Sequence, residues 1–164
     1  MKTASFLILF TTTLFFSSCV QPQAIGAGSD KDIIAIPFTV SKSQHILSTV
    51  EINGKKAFLM IDTGASSSVI HIGKLEYLGL ESHDKKGKAS GIGTSNYDMK
   101  EIIIPEMILN SVSYRDLKFD GIDLYHIEQV DYNQTIDGII GGDFLKKHEA
   151  VIDYKRQILY LRKP

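Results

Sequence analysis

Short apolar runs, separated by turn-forming residues, follow one another along the chain after Ile33. The runs Ile46–Ile52 and Lys56–Ile61 lie on either side of Asn53-Gly54. Asn-Gly favours a tight hairpin, because both central positions of a type I′ turn need positive φ and these residues tolerate it. The pattern therefore predicts a β-hairpin here.

A second group of runs predicts further strands. Ile102-Ile103-Ile104 is β-branched and is predicted to end at Pro105, since proline has no N–H for a strand ladder. Downstream, Asn110-Ser111 is a turn candidate between Met107–Leu109 and Val112–Phe119. These runs predict two more strands joined by a short turn.

The C-terminal region predicts a last hairpin. Val151–Tyr154 and Gln157–Leu161 are the two runs, and Lys155-Arg156 lies between them. The segment Ile33–Val40 could pair with Gln157–Leu161 or fold back on its own barrel. The sequence leaves both arrangements open.

Helix signals are few and short. Lys74–Leu80 predicts one or two turns that Gly79 would stop. Asp143–His148 predicts a second helix, with Asp143 near its positive N-terminal end and basic residues near its C-terminal end. Many short strands with few helices predict an all-β, barrel-like domain.

Composition and charge narrow the class of protein. The chain has 164 residues, of which 43% are hydrophobic and 23% charged, as is usual for a soluble globular fold. The formal net charge is −1. No basic surface therefore points to nucleic acid as a partner.

The N-terminus has the pattern of a leader. Lys2 precedes the apolar segment Ala4–Phe16, and small Ser17 and Ser18 follow it. This order predicts a secretory signal peptide over residues 1–18. An uncleaved N-terminal anchor is the alternative, although the segment is short for a membrane span.

Cys19, the single cysteine, directly follows the leader. Phe16-Ser17-Ser18-Cys19 resembles the lipobox of bacterial lipoproteins, although Phe16 stands where Leu is usual. The resemblance implies a lipid anchor on Cys19, and several acyl chains together give stable membrane attachment. A chance cysteine in an ordinary signal peptide is the other interpretation.

The leader suggests a division of the chain and a location. Residues 19–32 are rich in small and polar residues and are predicted to be a flexible tether, and residues 33–164 form the domain. The sequence thus predicts an exported, membrane-anchored lipoprotein of the bacterial cell envelope, in the periplasm or at the outer membrane. Gln21 is not the Asp that often signals retention in the inner membrane.

The most informative residues follow the run Ala57–Ile61. This strand leads straight into Asp62-Thr63-Gly64, and the small residues Ala65–Ser68 then lead into Val69-Ile70. Small residues allow backbone segments to approach closely. Asp-Thr-Gly also occurs in ordinary turns, so the triplet alone has a structural interpretation as well.

Two downstream elements give the triplet a context. Gly91-Ile92-Gly93-Thr94 is a glycine-rich segment, and Ile139-Ile140-Gly141 is an apolar pair followed by glycine. With these motifs in this order, the chain from about Thr49 to Leu161 resembles the retropepsin-like aspartic peptidase family. The resemblance implies an all-β acid-protease barrel with one or two short helices.

The resemblance also implies roles for particular residues. Asp62 would be the catalytic carboxylate, Thr63 would brace the site across a dimer axis, and Gly64 would allow close backbone approach. Substrate would be bound by Ala65 and by a flap that contains Gly91, Ile92 and Gly93. The loop that packs against the active site would contain Gly138, Ile139, Ile140 and Gly141.

One Asp-Thr-Gly triplet is half of an aspartic site. Two carboxylates must share one proton, because close like charges cannot both ionise cheaply. The sequence therefore predicts an endopeptidase acting on polypeptides as a homodimer, with Asp62 of each copy forming the dyad. The alternatives are a catalytically silent peptide-binding or scaffold module of the envelope, and a monomer that uses its single Asp differently.

Ala65 bears on the pH optimum. Pepsin-like proteases usually have Ser or Thr at this position, whose hydroxyl can stabilise the ionised aspartate. Alanine cannot donate that hydrogen bond, so we expect a mildly acidic to neutral optimum unless Ser66 supplies the missing hydroxyl.

Two other acids, Asp120 and Asp137, each precede glycine, the usual composition of a turn. Asp120 also continues an alternation in which Leu117 and Phe119 are apolar and Lys118 is polar, as on a half-buried strand. The Asp-Gly composition therefore predicts a turn at each acid, whereas the alternation predicts a strand at Asp120.

Other chemistry has little support in the sequence. The serines lack the Gly-x-Ser-x-Gly pattern of a serine hydrolase, and no histidine has zinc-helix spacing. The sequence therefore predicts no metal site and no cofactor. The histidines predicted to be ordinary surface or core residues are His45, His71, His83, His126 and His148.

Overall fold

The computed structural model describes residues 30–91, 94–125 and 135–164, which are mostly β-strand. The strands are β1 (Ile33–Pro37), β2 (Thr39–Val40), β3 (Ile46–Ile52), β4 (Lys55–Ile61), β5 (Val69–His71), β6 (Ser82–Gly91), β7 (Thr94–Leu109), β8 (Val112–Ile122), β9 (Gly138–Ile140), β10 (Val151–Asp153) and β11 (Ile158–Arg162). The helices are α1 (Leu75–Leu78) and α2 (Gly142–Lys147), with 3-10 turns at Asp30–Asp32 and Ile72–Lys74.

Six of these strands close into a barrel in the order β3-β4-β9-β5-β8-β7. The circle is closed by the pairing of β7 with β3, in which Glu51 faces Ile108 and Ile52 faces Met107. Strand β2 pairs with β3, and β6 pairs with β7 in a long hairpin. The predicted all-β barrel with short helices is confirmed.

Both predicted turns join the strands expected of them. Asn53 and Gly54 have φ of 49° and 75°, and Asn110 and Ser111 have φ of 42° and 68°. These positive values are those that a tight hairpin needs. The turn chemistry thus sets the β3–β4 and β7–β8 registers.

The prediction that a strand ends at Pro105 is wrong. Strand β7 continues through Pro105 as far as Leu109. Ile104 pairs with Leu117 and Glu106 with Arg115, so the proline lies at a position without a ladder pair. The strand accommodates proline there because no N–H is required of it.

The two predicted helices are confirmed, with boundaries shifted by one or two residues. Helix α1 ends at Leu78, and the next residue, Gly79, has a φ of 63°, the left-handed conformation that terminates helices. Helix α2 begins at Gly142, one residue before the predicted Asp143, and has Lys146 and Lys147 in its last turn.

A separate three-stranded sheet has the order β1-β11-β10. Within one chain, β1 pairs with β11 over its whole length, from Ile33 opposite Arg162 to Pro37 opposite Ile158. Lys163 N also donates to Asp32 O at 2.8 Å. Both arrangements left open by the sequence for Ile33–Val40 are therefore found, since β1 pairs with the C-terminal strand and β2 pairs with β3 of the barrel.

The core consists of two apolar clusters, of which the larger joins the barrel to the three-stranded sheet. The larger contains Ile36, Ile52, Leu59 and Ile102, which are at most 1% exposed. The smaller contains Leu47, Met60, Val69, Leu124, Ile136 and Ile139. No helix in the described ranges is both long and apolar enough to cross a membrane. The predicted signal peptide, Cys19 and most of the tether lie outside those ranges.

His148 ends α2 inside an aromatic cluster. Its ring lies 4.9 Å from the ring of Tyr114 and 4.5 Å from that of Phe144, between centroids. Nδ1 donates to Arg162 O at 3.1 Å. Burial lowers the pKa of His148 below its usual 6.5, and the charge of Lys147 lowers it further, whereas the bond to Arg162 O raises it.

The lowered pKa of His148 predicts a loss of stability in mild acid. Below pH 6.5 the unfolded chain binds a proton at this residue more readily than the folded chain, so the free energy of unfolding falls. His148→Phe keeps a ring in the cluster without titrating. We expect urea unfolding to show a shallower decrease from about pH 6.5 to about pH 5 in this variant than in the wild type.

His83 provides the control, since its side chain is exposed. His83→Phe should keep the wild-type dependence of stability on pH. An unchanged dependence in His148→Phe would contradict the assignment.

Candidate active site

Asp62 lies where β4 ends, and the backbone holds it there. Asp62 N donates to Ile140 O at 3.0 Å, and Gly64 N donates to the carboxylate oxygen Oδ1 at 2.8 Å. The side chain is half-buried, whereas Thr63 and Gly64 are exposed. The carboxylate is thus fixed in orientation and still accessible to solvent.

The position of the Asp62 loop follows from the order of the strands. Strand β9 lies between β4 and β5, parallel to β4 and antiparallel to β5. Because β4 and β5 are consecutive in the chain, their connection, residues 62–68, must cross the end of β9. The topology itself therefore brings Asp62-Thr63-Gly64 beside Ile140 and Gly141.

Glycines allow the backbones to meet at this crossing. A Cβ on Gly138 would lie 2.4 Å from Val69 O, and one on Gly141 would lie 2.4 Å from Ser67 O. Backbone cannot yield as a flexible side chain can, so larger residues do not fit. Gly142 N completes the contact by donating to Ala65 O at 2.7 Å.

Ser68 ties the same loop to α2. Its buried hydroxyl donates to Asp143 Oδ1 at 2.6 Å and accepts from Gly141 N at 3.0 Å. Asp143 Oδ1 also accepts from Phe144 N at 2.7 Å. The sequence predicted Asp143 near the N-terminus of a helix. It did not predict the hydrogen bond to Ser68, which lies 75 residues earlier in the chain.

The turns predicted at Asp120 and Asp137 from their Asp-Gly composition are wrong, and the strand predicted at Asp120 from the alternation is confirmed. Asp120 lies within β8 and is 6% exposed, and Asp137 directly precedes β9 and is 4% exposed. The following glycine serves packing: a Cβ on Gly121 would lie 3.0 Å from the side chain of Ile102. The Asp-Gly sequence is the same whether it lies in a turn or, as here, within or beside a buried strand.

Each buried acid is paired with groups on a neighbouring strand or loop. Asp120 Oδ2 accepts from Ser67 Oγ at 2.8 Å. Asp137 Oδ2 accepts from Phe58 N at 2.8 Å, and its Oδ1 lies 3.5 Å from Lys74 Nζ. These bonds compensate for the loss of water around the carboxylates.

The hydroxyl groups of two serines near Asp62 donate hydrogen bonds to other acids. Ser67 and Ser68 donate to Asp120 and Asp143, and Ala65 has no hydroxyl. Ser66 is exposed. Among the described residues, the hydrogen bond to the Asp62 carboxylate comes from the backbone N–H of Gly64.

The predicted flap falls on the β6–β7 hairpin. Gly91 ends β6 and pairs with Thr94, the first residue of β7. Ile92 and Gly93 lie outside the described residues, so their predicted part in substrate binding stays a prediction. In the described part of the chain, no three His, Cys, Asp or Glu side chains are arranged to hold a metal ion.

Known proteins resemble this chain in sequence and in fold. Residues 48–144 match a family model described as aspartyl protease. A retropepsin-like aspartic protease from Rickettsia conorii is similar in structure, with a TM-score of 0.54 and 17% identity over 80% of this chain and 90% of that chain. No curated protein matches the sequence.

Two further solved structures are similar to this chain, with lower TM-scores. The retroviral protease-like domain of Ddi1 from Leishmania major has a TM-score of 0.48 and 18% identity, over 78% of this chain and 89% of that chain. EIAV protease in complex with the inhibitor HBY-793 has a TM-score of 0.47 and 16% identity, over 66% of this chain and 92% of that chain.

The hydrogen bonds of the Ser68 hydroxyl with Asp143 and Gly141 predict a measurable loss of stability when the hydroxyl is removed. Ser68→Ala leaves Gly141 N without its buried acceptor and removes one of the two donors to Asp143 Oδ1, which should cost about 1–3 kcal/mol of unfolding free energy. Ser66→Ala is the matched control, because Ser66 is exposed on the same loop, and it should change stability by less than about 0.5 kcal/mol. Equal losses in the two variants, measured by urea unfolding, would be evidence against the network.

Proposed function

This chain belongs to the aspartyl protease family, and we propose that it is an aspartic endopeptidase whose active form is a homodimer. The proposed dyad consists of Asp62 from each of two copies. The observation that carries the proposal is the fixed, half-exposed carboxylate of Asp62 at the β9 crossing, in a chain with one Asp-Thr-Gly triplet.

The second copy is required by the chemistry. Aspartic proteolysis uses two carboxylates that share one proton, and they must lie close together to do so. A chain that supplies one such aspartate can complete the pair with the same aspartate of another copy. The two copies are then related by a two-fold axis that passes between the carboxylates.

The dyad would act on a water molecule between the two carboxylates. The ionised Asp62 accepts a proton from the water as it attacks the scissile carbonyl carbon, and the protonated partner donates to the carbonyl oxygen. Collapse of the tetrahedral intermediate then transfers a proton to the leaving amine. The hydrogen bond from Gly64 N keeps one carboxylate oxygen oriented during these steps.

The proposed substrates are extended polypeptides at the bacterial cell envelope. An extended peptide would lie between the β6–β7 hairpin and the barrel and bind by main-chain hydrogen bonds, as an added strand does. The signal peptide and the lipid anchor at Cys19 are part of this proposal and would hold the enzyme at the membrane.

Removal of the carboxylate provides the direct test. The full chain should cleave members of a mixed peptide library somewhere between about pH 3 and about pH 8. Asp62→Asn should lower the rate by about 10³-fold or more, because the amide can neither activate water nor share the proton. Asp116→Asn is the control, since Asp116 is exposed on β8 and Asn accepts its positive φ of 51°.

Mixing the two chains tests the shared site. In an equal mixture only about a quarter of randomly formed dimers hold two Asp62 residues, so the activity of the wild-type chains should fall to about half. Undiminished activity would contradict a shared dyad. Peptide binding without cleavage at any pH would instead support a silent binding module.

Ala65 provides a separate prediction about pH. Ala65→Ser adds a hydroxyl beside Asp62 that can donate to the ionised carboxylate and favour that form. We expect the acidic limb of the kcat profile to move to lower pH. Ser66→Ala should leave the profile in place, and a wild-type optimum near pH 3 would contradict the interpretation of Ala65.

A further inference from the structure

We propose that His71 is a positioning residue for peptide binding, and that protonation of its ring weakens this binding. While Nδ1 carries no proton, the ring holds Leu124 in the smaller apolar cluster, which supports the Asp62 loop. This inference rests on the proposed function, because it concerns how the same site binds its peptide. His71 does not belong to the dyad and acts through Leu124.

His71 ends β5 beside the end of β8. It lies opposite Ile122, the last residue of β8, in the parallel pairing of the two strands. Two residues further along, Leu124 N donates to Nδ1 of His71 at 3.1 Å. Leu124 is fully buried and lies beyond the last pair of the strands, and a buried N–H needs an acceptor. The imidazole ring supplies that acceptor.

The ring of His71 is held from several sides. The residue is 7% exposed, and its backbone N donates to Asp137 O at 2.9 Å. Gly73 leaves room for the ring, since a Cβ there would lie 2.9 Å from Nε2. Because Nδ1 accepts a hydrogen bond, the proton of the neutral ring is on Nε2. The contact with Leu124 therefore fixes both the orientation and the tautomer of the ring.

Leu124 connects this ring to the candidate active site. It belongs to the same apolar cluster as Met60 and Ile139, and Ala65 packs against that cluster. Met60 lies two residues before Asp62, and Ala65 N donates to Asp62 O at 3.3 Å. Apolar interiors are closely packed, so a shift of Leu124 changes the packing on both sides of Asp62. The proposed peptide would bind on this loop.

The charged ring has a different partner. Asp123 Oδ1 lies 3.8 Å from Nδ1 of His71. A proton on Nδ1 makes it a donor, which cannot bond to the N–H of Leu124 but can bond to the carboxylate of Asp123. The other charged side chains next to these contacts are Lys74, in the 3-10 turn that follows His71, and Asp137, with Lys74 Nζ 3.5 Å from Asp137 Oδ1. Protonation therefore moves the hydrogen bond of the ring from Leu124 to Asp123.

Two substitutions separate the hydrogen bond from the charge. His71→Asn puts an amide oxygen near the position of Nδ1, so it can accept from Leu124 N but does not titrate. His71→Phe keeps a ring without an acceptor. Circular dichroism checks that both variants are folded. His148→Phe is the matched control, because it removes another buried imidazole that lies outside the smaller cluster.

The test measures KM and kcat of the full chain from about pH 8 to about pH 5, the range in which imidazoles titrate. The probe is the library peptide that the wild type cleaves fastest. We expect the wild-type KM to rise about fivefold or more toward pH 5, and His71→Asn to remove most of this rise. His71→Phe should have a raised KM at every pH with kcat within about twofold, as expected for lost binding. His148→Phe should keep the wild-type rise.

Three results overturn the inference. The first is an equal rise of KM in the wild type and in His71→Asn. The second is a wild-type KM in His71→Phe, and the third is the loss of the rise in His148→Phe. Where His71→Phe does not fold, the comparison of the wild type with His71→Asn decides alone.

Amide hydrogen exchange at Leu124 tests the contact without activity. At about pH 7 the N–H of Leu124 should exchange about tenfold or more faster in His71→Phe than in the wild type, and within about threefold of the wild type in His71→Asn. Cleavage that depends on Asp62, with equal exchange in the two variants, overturns this inference and leaves the proposed function in place. A chain that cleaves nothing contradicts the proposed function and, with it, the part of His71 in peptide binding.

Discussion

The contact between the Asp62 loop and the end of β9 is the constraint on which the rest of the site depends. Asp62 N donates to Ile140 O, and Gly142 N donates to Ala65 O, so the loop is fixed at both ends by backbone groups. Backbone bonds of this kind are not altered by ordinary side-chain substitutions. The closed barrel supplies the strand order, and the crossing then orients one carboxylate toward solvent.

The acids near this crossing divide into two kinds. Asp120 and Asp137 are buried and paired, and Asp143 bonds Ser68 and the first turn of α2, so these carboxylates hold strands and loops together. Asp62 differs, because it is half-exposed and accepts from a backbone N–H of its own loop. A buried acid with all its bonds satisfied stabilises a fold, whereas an accessible acid in a fixed orientation can take part in chemistry.

The parts of this fold that neighbouring residues determine could be predicted from the sequence. The parts that depend on contacts between distant residues could not. Asn53-Gly54 and Asn110-Ser111 determine their own turns through positive φ, so their hairpins could be read from neighbouring residues alone. Pro105 was misread because the missing pair opposite it depends on β8. Asp137 was misread for the same kind of reason, since its partners Phe58 and Lys74 are distant in sequence. The Asp62 triplet was recognisable, but its geometry depends on where β9 lies.

The pairing of β1 with β11 has a consequence for how the molecule is assembled. Ile33 meets Arg162 at the far end of the described chain, so the first strand stays without its partner until the last has been made. The β3–β4 and β7–β8 hairpins can form early, because they close over two-residue turns. The sheet of β1, β11 and β10 must form late, after a large loss of loop entropy.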